Sequence, residues 1–217
     1  MGTVKCIIFD LDDTLVESGS IWVAAQKRLF TILGSPYHPE WFTEYLGMNA
    51  MDAGKLTHRK LSVTTYSPEE CGLMLRQFLL AEFDGKAAPM PGAEELIPLL
   101  SRFYALSIAS GSPQEVIAQV IQARHWDSFF SSFVSSEEVP HGKPEPDVFL
   151  EAAQRLRVPP DRALVIEDGL NGIRAARKAG MYGFLVKNPI DHQTALEADR
   201  SFLSLSCITL DDIQSLQ

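Results

Sequence analysis

The sequence predicts an α/β fold in which a parallel-sheet core carries an inserted four-helix cap domain. An apolar run from Cys6 to Phe9 has the character of a strand that is buried on both faces. Four helical patterns follow it directly, whereas a crossover between two parallel strands needs only one helix. From Ala93 onward, helical and strand patterns alternate, as they do around a parallel sheet. The surplus helices therefore indicate a separate cap.

The composition is that of an ordinary globular protein. Of its 217 residues 46% are hydrophobic and 22% are charged, which is enough to bury a sizeable core. The net charge of -9 argues against a nucleic-acid partner, because such proteins normally carry a basic patch. No apolar run approaches the roughly 18 residues of a membrane helix, and no signal-peptide pattern begins the chain. We therefore expect a cytoplasmic protein without a membrane partner.

The remaining features of composition suggest a monomer with reduced thiols. Cys6, Cys71 and Cys207 are far apart and lack the spacing of metal ligands, so we expect them to be reduced and structural. No sustained heptad pattern or exposed apolar strand requires a partner subunit.

The cap is predicted from helix start and stop signals. Ser20 is the expected N-cap of its first helix, and the second starts at Pro39. Ser67 and Glu70 have the spacing of a capping box at the start of the fourth. The predicted cap helices cover residues 20–33, 39–46, 50–61 and 68–83, and a linker rich in glycine and proline covers 84–92. The predicted division is a core of residues 1–16 and 88–217 and a cap of residues 17–87.

The core is predicted from the alternating pattern that follows the linker. Ser112 resembles Ser67 as a start signal, since a proline and an acid follow it at the same positions. The predicted helices cover residues 93–101, 113–124, 147–156 and 171–179 and a short segment after Thr209, and the predicted strands cover 104–109, 133–134, 163–166 and 184–186.

Three acids, Asp10, Asp12 and Asp13, stand directly after the first strand. Carboxylates this close repel one another unless a cation holds them, and a hard divalent ion such as Mg2+ prefers oxygen ligands. The hydroxyl of Thr14 and the amides of the loop can hold a phosphate beside such an ion. A plain charged loop is the alternative interpretation.

Four polar clusters stand at predicted strand ends or in the loops beside them, and right-handed crossovers bring those ends to one edge of the sheet. Each has a separate explanation: a turn with an N-cap at Ser110, a solvated lysine at Lys143, and a helix start at Glu167. Their convergence favours instead one site for one anion and one metal. The clusters are Asp10, Asp12 and Thr14; Ser110 and Gly111; Lys143; and Glu167 and Asp168.

Segments 10–14, 110–112, 142–147 and 167–172 resemble, in order and spacing, the four motifs of the haloacid dehalogenase superfamily. The resemblance implies a Rossmann-like core. The helical insertion is similar to the cap of the subgroup that contains phosphoglycolate phosphatase-like and β-phosphoglucomutase-like proteins. The motifs are specific for the superfamily and say little about the substrate.

The resemblance implies a Mg2+-dependent enzyme that forms an aspartyl-phosphate. Asp10 would be the nucleophile, and Asp12 would protonate the leaving oxygen and later accept a proton from water. Lys143 would neutralise charge between Asp10 and the phosphate. The implied metal ligands are Asp10, the backbone carbonyl of Asp12, and Asp168 with the assistance of Glu167, and the implied phosphate contacts are Thr14, Ser110, Gly111 and Lys143.

Proteins of this subgroup carry out two reactions, hydrolysis and intramolecular phosphoryl transfer, and both remain open for this chain. β-Phosphoglucomutase-like proteins carry a histidine early in the first cap helix and an arginine after the cap glycine, and here those places hold Trp22 and Ala50. Neither side chain can replace them, so a phosphatase is favoured. Asp13 stands where many members have glycine, and the acid at Asp12 argues against dehalogenation. A catalytically silent binding module is a third hypothesis, which loss of Asp10 or Asp168 would have supported.

The expected substrate is a small phosphorylated metabolite that the cap selects. Trp22 and Met48 either face the site or pack within the cap, and Gly47 either lets the backbone approach the substrate or ends a helix. Opening and closing of the cap would admit substrate and exclude water. The candidate substrate contacts in the cap are Trp22, Gly47, Met48, Asn49 and Lys55.

Overall fold

A parallel sheet lies at the centre of the chain, whose computed structural model describes residues 3–83, 87–190 and 192–216. Six strands in these residues pair in the order β3-β2-β1-β4-β5-β6, and every pair is parallel. The predicted α/β fold is confirmed. The strands are β1 (Cys6–Phe9), β2 (Ala105–Ser110), β3 (Phe130–Ser135), β4 (Ala163–Glu167), β5 (Tyr182–Val186) and β6 (Arg200–Phe202).

The first strand is central because both of its faces are apolar. All four of its side chains are fully buried, and they alternate between two hydrophobic clusters on opposite faces of the sheet. Ile7 and Phe9 belong to the larger cluster, and Cys6 and Ile8 belong to the smaller one. Such burial on both faces is typical of a parallel sheet covered by helices.

The helices of the described residues agree with the sequence pattern to within a few positions. Two elements were not anticipated, α9 and β6; the latter has three half-buried residues that show no periodicity. The helices are α1 (Gly19–Ile32), α2 (Phe42–Tyr45), α3 (Ala50–Leu61), α4 (Pro68–Glu82), α5 (Ala93–Ser101), α6 (Gln114–Ala123), α7 (Asp147–Leu156), α8 (Leu170–Lys178), α9 (His192–Glu197) and α10 (Leu210–Gln214).

Helices α1 to α4 lie between β1 and β2 and surround a hydrophobic cluster of their own. Its fully buried members include Ala25, Leu29 and Leu75. Three residues of the predicted return linker, 84–86, lie outside the described residues. The predicted domain boundaries at residues 16/17 and 87/88 stay a prediction. No helix in the described segments has the length and apolar character needed to cross a membrane.

Of the three serines predicted to mark helix starts, Ser67 is confirmed as an N-cap, and Ser20 and Ser112 are not N-caps. Ser67 and Glu70 form the expected capping box at α4. Helix α1 begins one residue before Ser20, and its first amides, from Ser18 and Gly19, donate to the Asp13 carboxylate at 2.9 Å. Helix α6 has no side-chain cap, because the hydroxyl of Ser112 donates elsewhere, to Asp12.

Two glycines allow α3 and α4 to pack with their backbones in contact. A Cβ atom on Gly54 would overlap the backbone of Gly72, and a Cβ atom on Gly72 would crowd the backbone of Met51. Glycine weakens a helix interior, so its presence at this crossing reflects close approach of the two backbones.

We expect Gly54→Ala to lower the free energy of unfolding by about 1–3 kcal/mol, the usual range for overpacking. Helix propensity alone would change stability in the opposite direction, by up to about 1 kcal/mol. Urea unfolding followed by circular dichroism measures the change, and exposed Gln77→Ala on α4 is the control, with less than about 0.5 kcal/mol expected. A Gly54→Ala protein as stable as the parent would contradict the packing argument.

Candidate active site

A cleft lies where the carboxyl ends of β1, β2 and β4 face helices α1 and α2. It has an empty volume of about 520 Å³, part of which is open to solvent. In α/β sheets, ligands bind outside the carboxyl ends of the strands. The residues that line the cleft are Asp10, Asp12, Asp13, Gly19, Trp22, Gln26, Phe42, Tyr45, Leu46, Gly47, Met48, Gly111, Glu167 and Asp168.

A buried lysine joins two carboxylates on the floor of this cleft. The Nζ of Lys143 donates to Oδ1 of Asp10 at 2.6 Å and to Oε1 of Glu167 at 2.7 Å. Burial alone would lower the pKa of Lys143, but the charges of Asp10 and Glu167 outweigh it and raise that pKa above its ordinary value. The lysine is therefore a permanent positive charge between the ends of β1 and β4.

Asp10, Glu167 and Asp168 form a group that can hold a metal ion, since one carboxylate oxygen from each lies within 4.8 Å of the others. Burial raises the pKa of Asp10 well above its ordinary value, and Lys143 only partly opposes this. Burial and the charge of Glu167 raise the pKa of Asp168 to about 7, against the charge of Lys187. Acids that resist ionisation together and offer only oxygen ligands fit Mg2+.

The carboxylate of Glu167 has a fixed orientation. Its Oε2 accepts the backbone N–H of Gly169 at 2.7 Å, while Oε1 accepts Lys143. Any Cβ atom on Gly172, in the first turn of α8, would overlap this carboxylate. Glycine is thus required at position 172 by the space that Glu167 occupies.

Asp12 accepts four hydrogen bonds, which uses all the acceptor positions of an ionised carboxylate. Oδ1 accepts the Ser18 hydroxyl at 2.7 Å and the indole N–H of Trp22 at 3.0 Å. Oδ2 accepts the hydroxyls of Ser110 and Ser112, each at 2.8 Å. The donors come from both sides of the cleft, because Trp22 belongs to α1, whereas Ser110 ends β2 and Ser112 follows it.

Among the predicted phosphate contacts, Ser110 donates to Asp12 and Lys143 donates to Asp10, while Thr14 is absent from the cleft lining. The hydroxyl of Thr14 is fully buried and has no hydrogen-bond partner among the described residues, so it can still bind an oxygen atom. Gly111 lines the cleft, and the Met48 carbonyl lies 2.7 Å from the place of a Cβ atom there. The Ser110 hydroxyl accepts the N–H of Ser112 as well as donating to Asp12.

The structure brings three of the five cap candidates to the cleft, namely Trp22, Gly47 and Met48. Asn49 is not among the lining residues, because its side chain caps α3 by accepting the N–H of Asp52 at 2.8 Å. Lys55 is also absent from the lining and lies 3.8 Å from Glu69. The backbone of Gly47 has φ of +78° at the end of α2, a conformation that favours glycine.

A family model for haloacid dehalogenase-like hydrolases matches residues 7–186, a range that contains all four motifs. The chain belongs to this family. The resemblance inferred from the motifs is confirmed, as is the Rossmann-like core with helices around its parallel sheet. Membership also confirms the prediction that the chain is an enzyme.

Relatives of this haloacid dehalogenase-like hydrolase are similar over most of its length. A phosphorylated carbohydrates phosphatase of Thermotoga maritima is 25% identical over 199 residues, 90% of this chain and 91% of the relative. A probable pseudouridine-5'-phosphatase of Drosophila melanogaster is 32% identical over 195 residues, 84% of this chain and 81% of the relative. A β-phosphoglucomutase structure from Clostridium difficile has a TM-score of 0.84 at 20% identity, covers 98% and 96% of the two chains, and shows the same fold.

Two residues with contacts at the hydrolase site, Lys187 and Asn171, were not predicted from the sequence to have a role there. Lys187 follows β5 and donates to the Asp168 side chain at 3.2 Å. Asn171 donates to the Leu46 carbonyl at 2.7 Å and so connects α8 to the loop after α2. The strand end before Lys187 was a usable signal, because lysine at that edge of a parallel sheet lies near the acids. Asn171 gave no local signal.

We expect Mg2+ to bind more tightly as the pH rises through about 7, because Asp168 must lose its proton before it can be a ligand. The raised pKa also means that the metal-free protein loses stability as the pH rises from 3.8 to about 7, and Mg2+ should restore it above that range. Calorimetric titration with Mg2+ at one pH unit below and one above the pKa of Asp168, which is about 7, should show about a tenfold difference in affinity for Mg2+.

Asp168→Asn should bind Mg2+ weakly at both pH values, whereas exposed Asp127→Asn should keep the pH dependence of the parent. Equal affinity of the parent protein at the two pH values would contradict the assignment of Asp168 as a ligand.

Proposed function

We propose that this hydrolase is a Mg2+-dependent phosphatase that acts on a small phosphorylated metabolite through an aspartyl-phosphate at Asp10. The proposal rests on the different hydrogen-bond contacts of the two oxygens of the Asp10 carboxylate. Lys143 holds Oδ1 at 2.6 Å, and no donor among the described residues contacts Oδ2. One oxygen is therefore fixed, and the other is available to attack phosphorus.

Repulsion between the nucleophile and the phosphate is the main obstacle to this reaction, and charge neutralisation reduces it. Lys143 supplies one positive charge beside Asp10. Thr14 would offer its unpaired hydroxyl to a phosphoryl oxygen, and Gly111, and Ser110 once its hydroxyl rotates away from Asp12, would be further contacts. Asp10, Asp168 and the Asp12 carbonyl would hold Mg2+ near Glu167, and the bound ion would neutralise further charge on the phosphoryl oxygens.

The proton balance assigns two tasks to Asp12. When Oδ2 of Asp10 bonds to phosphorus, the ester bond breaks and Asp12 gives its proton to the leaving oxygen. When water attacks the aspartyl-phosphate, Asp12 takes back a proton, the bond from Asp10 to phosphorus breaks and phosphate leaves. The chain thus returns to its starting state.

The donors around Asp12 determine where that proton is carried. An indole N–H can only donate, so Oδ1 stays matched to Trp22 only while it is unprotonated. The hydroxyls of Ser110 and Ser112 can rotate and accept instead of donate. The proton is therefore carried on Oδ2, and Trp22 holds the carboxyl group in place through both steps.

Two observations favour hydrolysis over the mutase reaction. The indole of Trp22 is occupied with Asp12, and Ala50 is fully buried and absent from the cleft lining. The positions that grip a second phosphate in β-phosphoglucomutase-like proteins are thus unable to do so here. The presence of Asp10 and Asp168 argues against a silent binding module.

We expect Asp10→Asn to reduce Mg2+-dependent phosphate release by roughly 10³-fold or more, since the amide oxygen is a poor nucleophile. Release is measured across a panel of sugar phosphates, phosphoglycolate, nucleotides and p-nitrophenyl phosphate. Asp127→Asn, the same change at an exposed position, is the control and should keep full activity. Release by Asp10→Asn at the parent rate would rule out this nucleophile.

We expect Trp22→Phe to lower kcat roughly tenfold and to change the pH profile of kcat, because Asp12 loses the donor that holds Oδ1. Trp41→Phe is the matched control, since Trp41 stacks on His38 at 4.1 Å and lies outside the cleft lining. A lower kcat with an unchanged pH profile would mean that Trp22 acts only in cap packing.

A further inference from the structure

We propose that the cleft selects phosphomonoesters whose alcohol part is uncharged and rejects those that carry a second phosphate or a carboxylate. This inference rests on the proposed phosphatase function and adds to it the class of substrate. Its basis is the distribution of charge around the cleft.

The ionisable carboxyl groups that line the cleft have no basic counterpart in the lining. The described lining residues include five acids and no lysine, arginine or histidine. Apart from Gln26, the larger side chains on the cap side of the lining are apolar or aromatic, namely Trp22, Phe42, Tyr45 and Met48. A second anion on the substrate would therefore meet acids or apolar surface.

No lysine, arginine or histidine of the described cap residues lines the cleft. Lys27 and Arg59 are exposed, and four other cations of the cap contact carboxylates that are outside the lining. The pairs are Arg28 with Glu82 at 2.8 Å, Lys55 with Glu69 at 3.8 Å, Lys60 with Glu44 at 2.7 Å, and Arg76 with Glu115 and Glu137 at 2.7 and 2.8 Å.

Lys143 does not serve a distant anion either. Its side chain is 0% exposed, and its ammonium group is held between Asp10 and Glu167 on the floor. It neutralises charge only at the phosphoryl group that reacts. An anion farther out would lose hydration without gaining a charged partner, which is costly.

The cap offers a neutral donor in place of a cation. Gln26 is 1% exposed, lines the cleft, and accepts the Tyr37 hydroxyl at Oε1 at 3.3 Å. No acceptor among the described residues contacts its Nε2 group. A buried amide with unused donors favours a hydroxyl or carbonyl oxygen on the substrate. An uncharged alcohol part, with both hydroxyl and apolar surface, matches these walls.

The test compares esters that differ only in the distal group. Glycerol 3-phosphate and 3-phosphoglycerate have the same carbon chain, and hexose 6-phosphate and hexose 1,6-bisphosphate form a second pair. With Mg2+ present, kcat/KM should be at least about tenfold higher for the uncharged member of each pair. Equal values, or higher values for the anionic members, would overturn the proposal while leaving the phosphatase function intact. Failure to hydrolyse any ester would overturn both.

Variants place a cation in the cleft. Met48→Arg should raise kcat/KM for the anionic member of each pair. The ratio of kcat/KM for the uncharged member to that for the anionic member should then fall at least about fivefold, whereas Met48→Leu should leave this ratio unchanged. Phe42→Lys repeats the change from another lining position, in case Met48→Arg does not fold. Lys55→Ala removes a cap cation outside the cleft and should leave the ratio unchanged; a ratio that shifts as much in Lys55→Ala as in Met48→Arg would overturn the proposal.

Discussion

The contact of Lys143 with two buried carboxylates is the interaction on which the site depends. Asp10 directly follows the central strand and Glu167 ends its neighbour, so the sheet forces their charges together. Removing one partner from such a buried pair costs about 3–5 kcal/mol, because the other charge is left unmatched. Glycine at position 172 and the amide of Gly169 then fix Glu167 so that the lysine bridges both strands. The geometry of the proposed nucleophile, Asp10, is therefore set by its contacts with the sheet.

The part of the site that could be predicted from the sequence is the part that the sheet determines. Parallel strands end at one edge, so acids after two strands and a lysine beside them had to converge. The environment of Asp12 could not be predicted in this way. Ser112 stands before a proline and an acid as a helix cap does, yet its hydroxyl donates to Asp12 because a carboxylate from another strand lies within reach. Likewise, Asn49 follows the cap glycine but caps its own helix. These outcomes are decided by tertiary contacts that local patterns do not contain.

The inserted helices contact the rest of the chain close to Asp12 and to the residues that line the cleft. Trp22 donates to Asp12, and the Leu46 carbonyl accepts from Asn171. Arg76 of α4 adds ion pairs to Glu115 of α6 and to Glu137 after β3. The arrangement that covers the cleft is therefore the same one that orders Asp12. Under the proposed mechanism, movement of α1 away from the sheet would free Asp12 from Trp22, so cap position and proton transfer are coupled through one hydrogen bond.

Charge on the floor of the cleft explains how a protein with a net charge of -9 can bind an anion. When all are ionised, the three acids Asp10, Glu167 and Asp168 exceed the two ammonium groups beside them, those of Lys143 and Lys187, by one negative charge. A divalent ion at these acids would change the sum over these five groups to one positive charge, which would reduce the repulsion of a phosphate group beside them. This added positive charge would be confined to the floor, since Lys143 is buried and the described residues that line the cleft include no lysine, arginine or histidine. Under the proposed function, a site built this way would bind one phosphoryl group strongly and offer no charged partner to a second, so the metal would supply affinity for phosphate and the cap would supply the choice among alcohols.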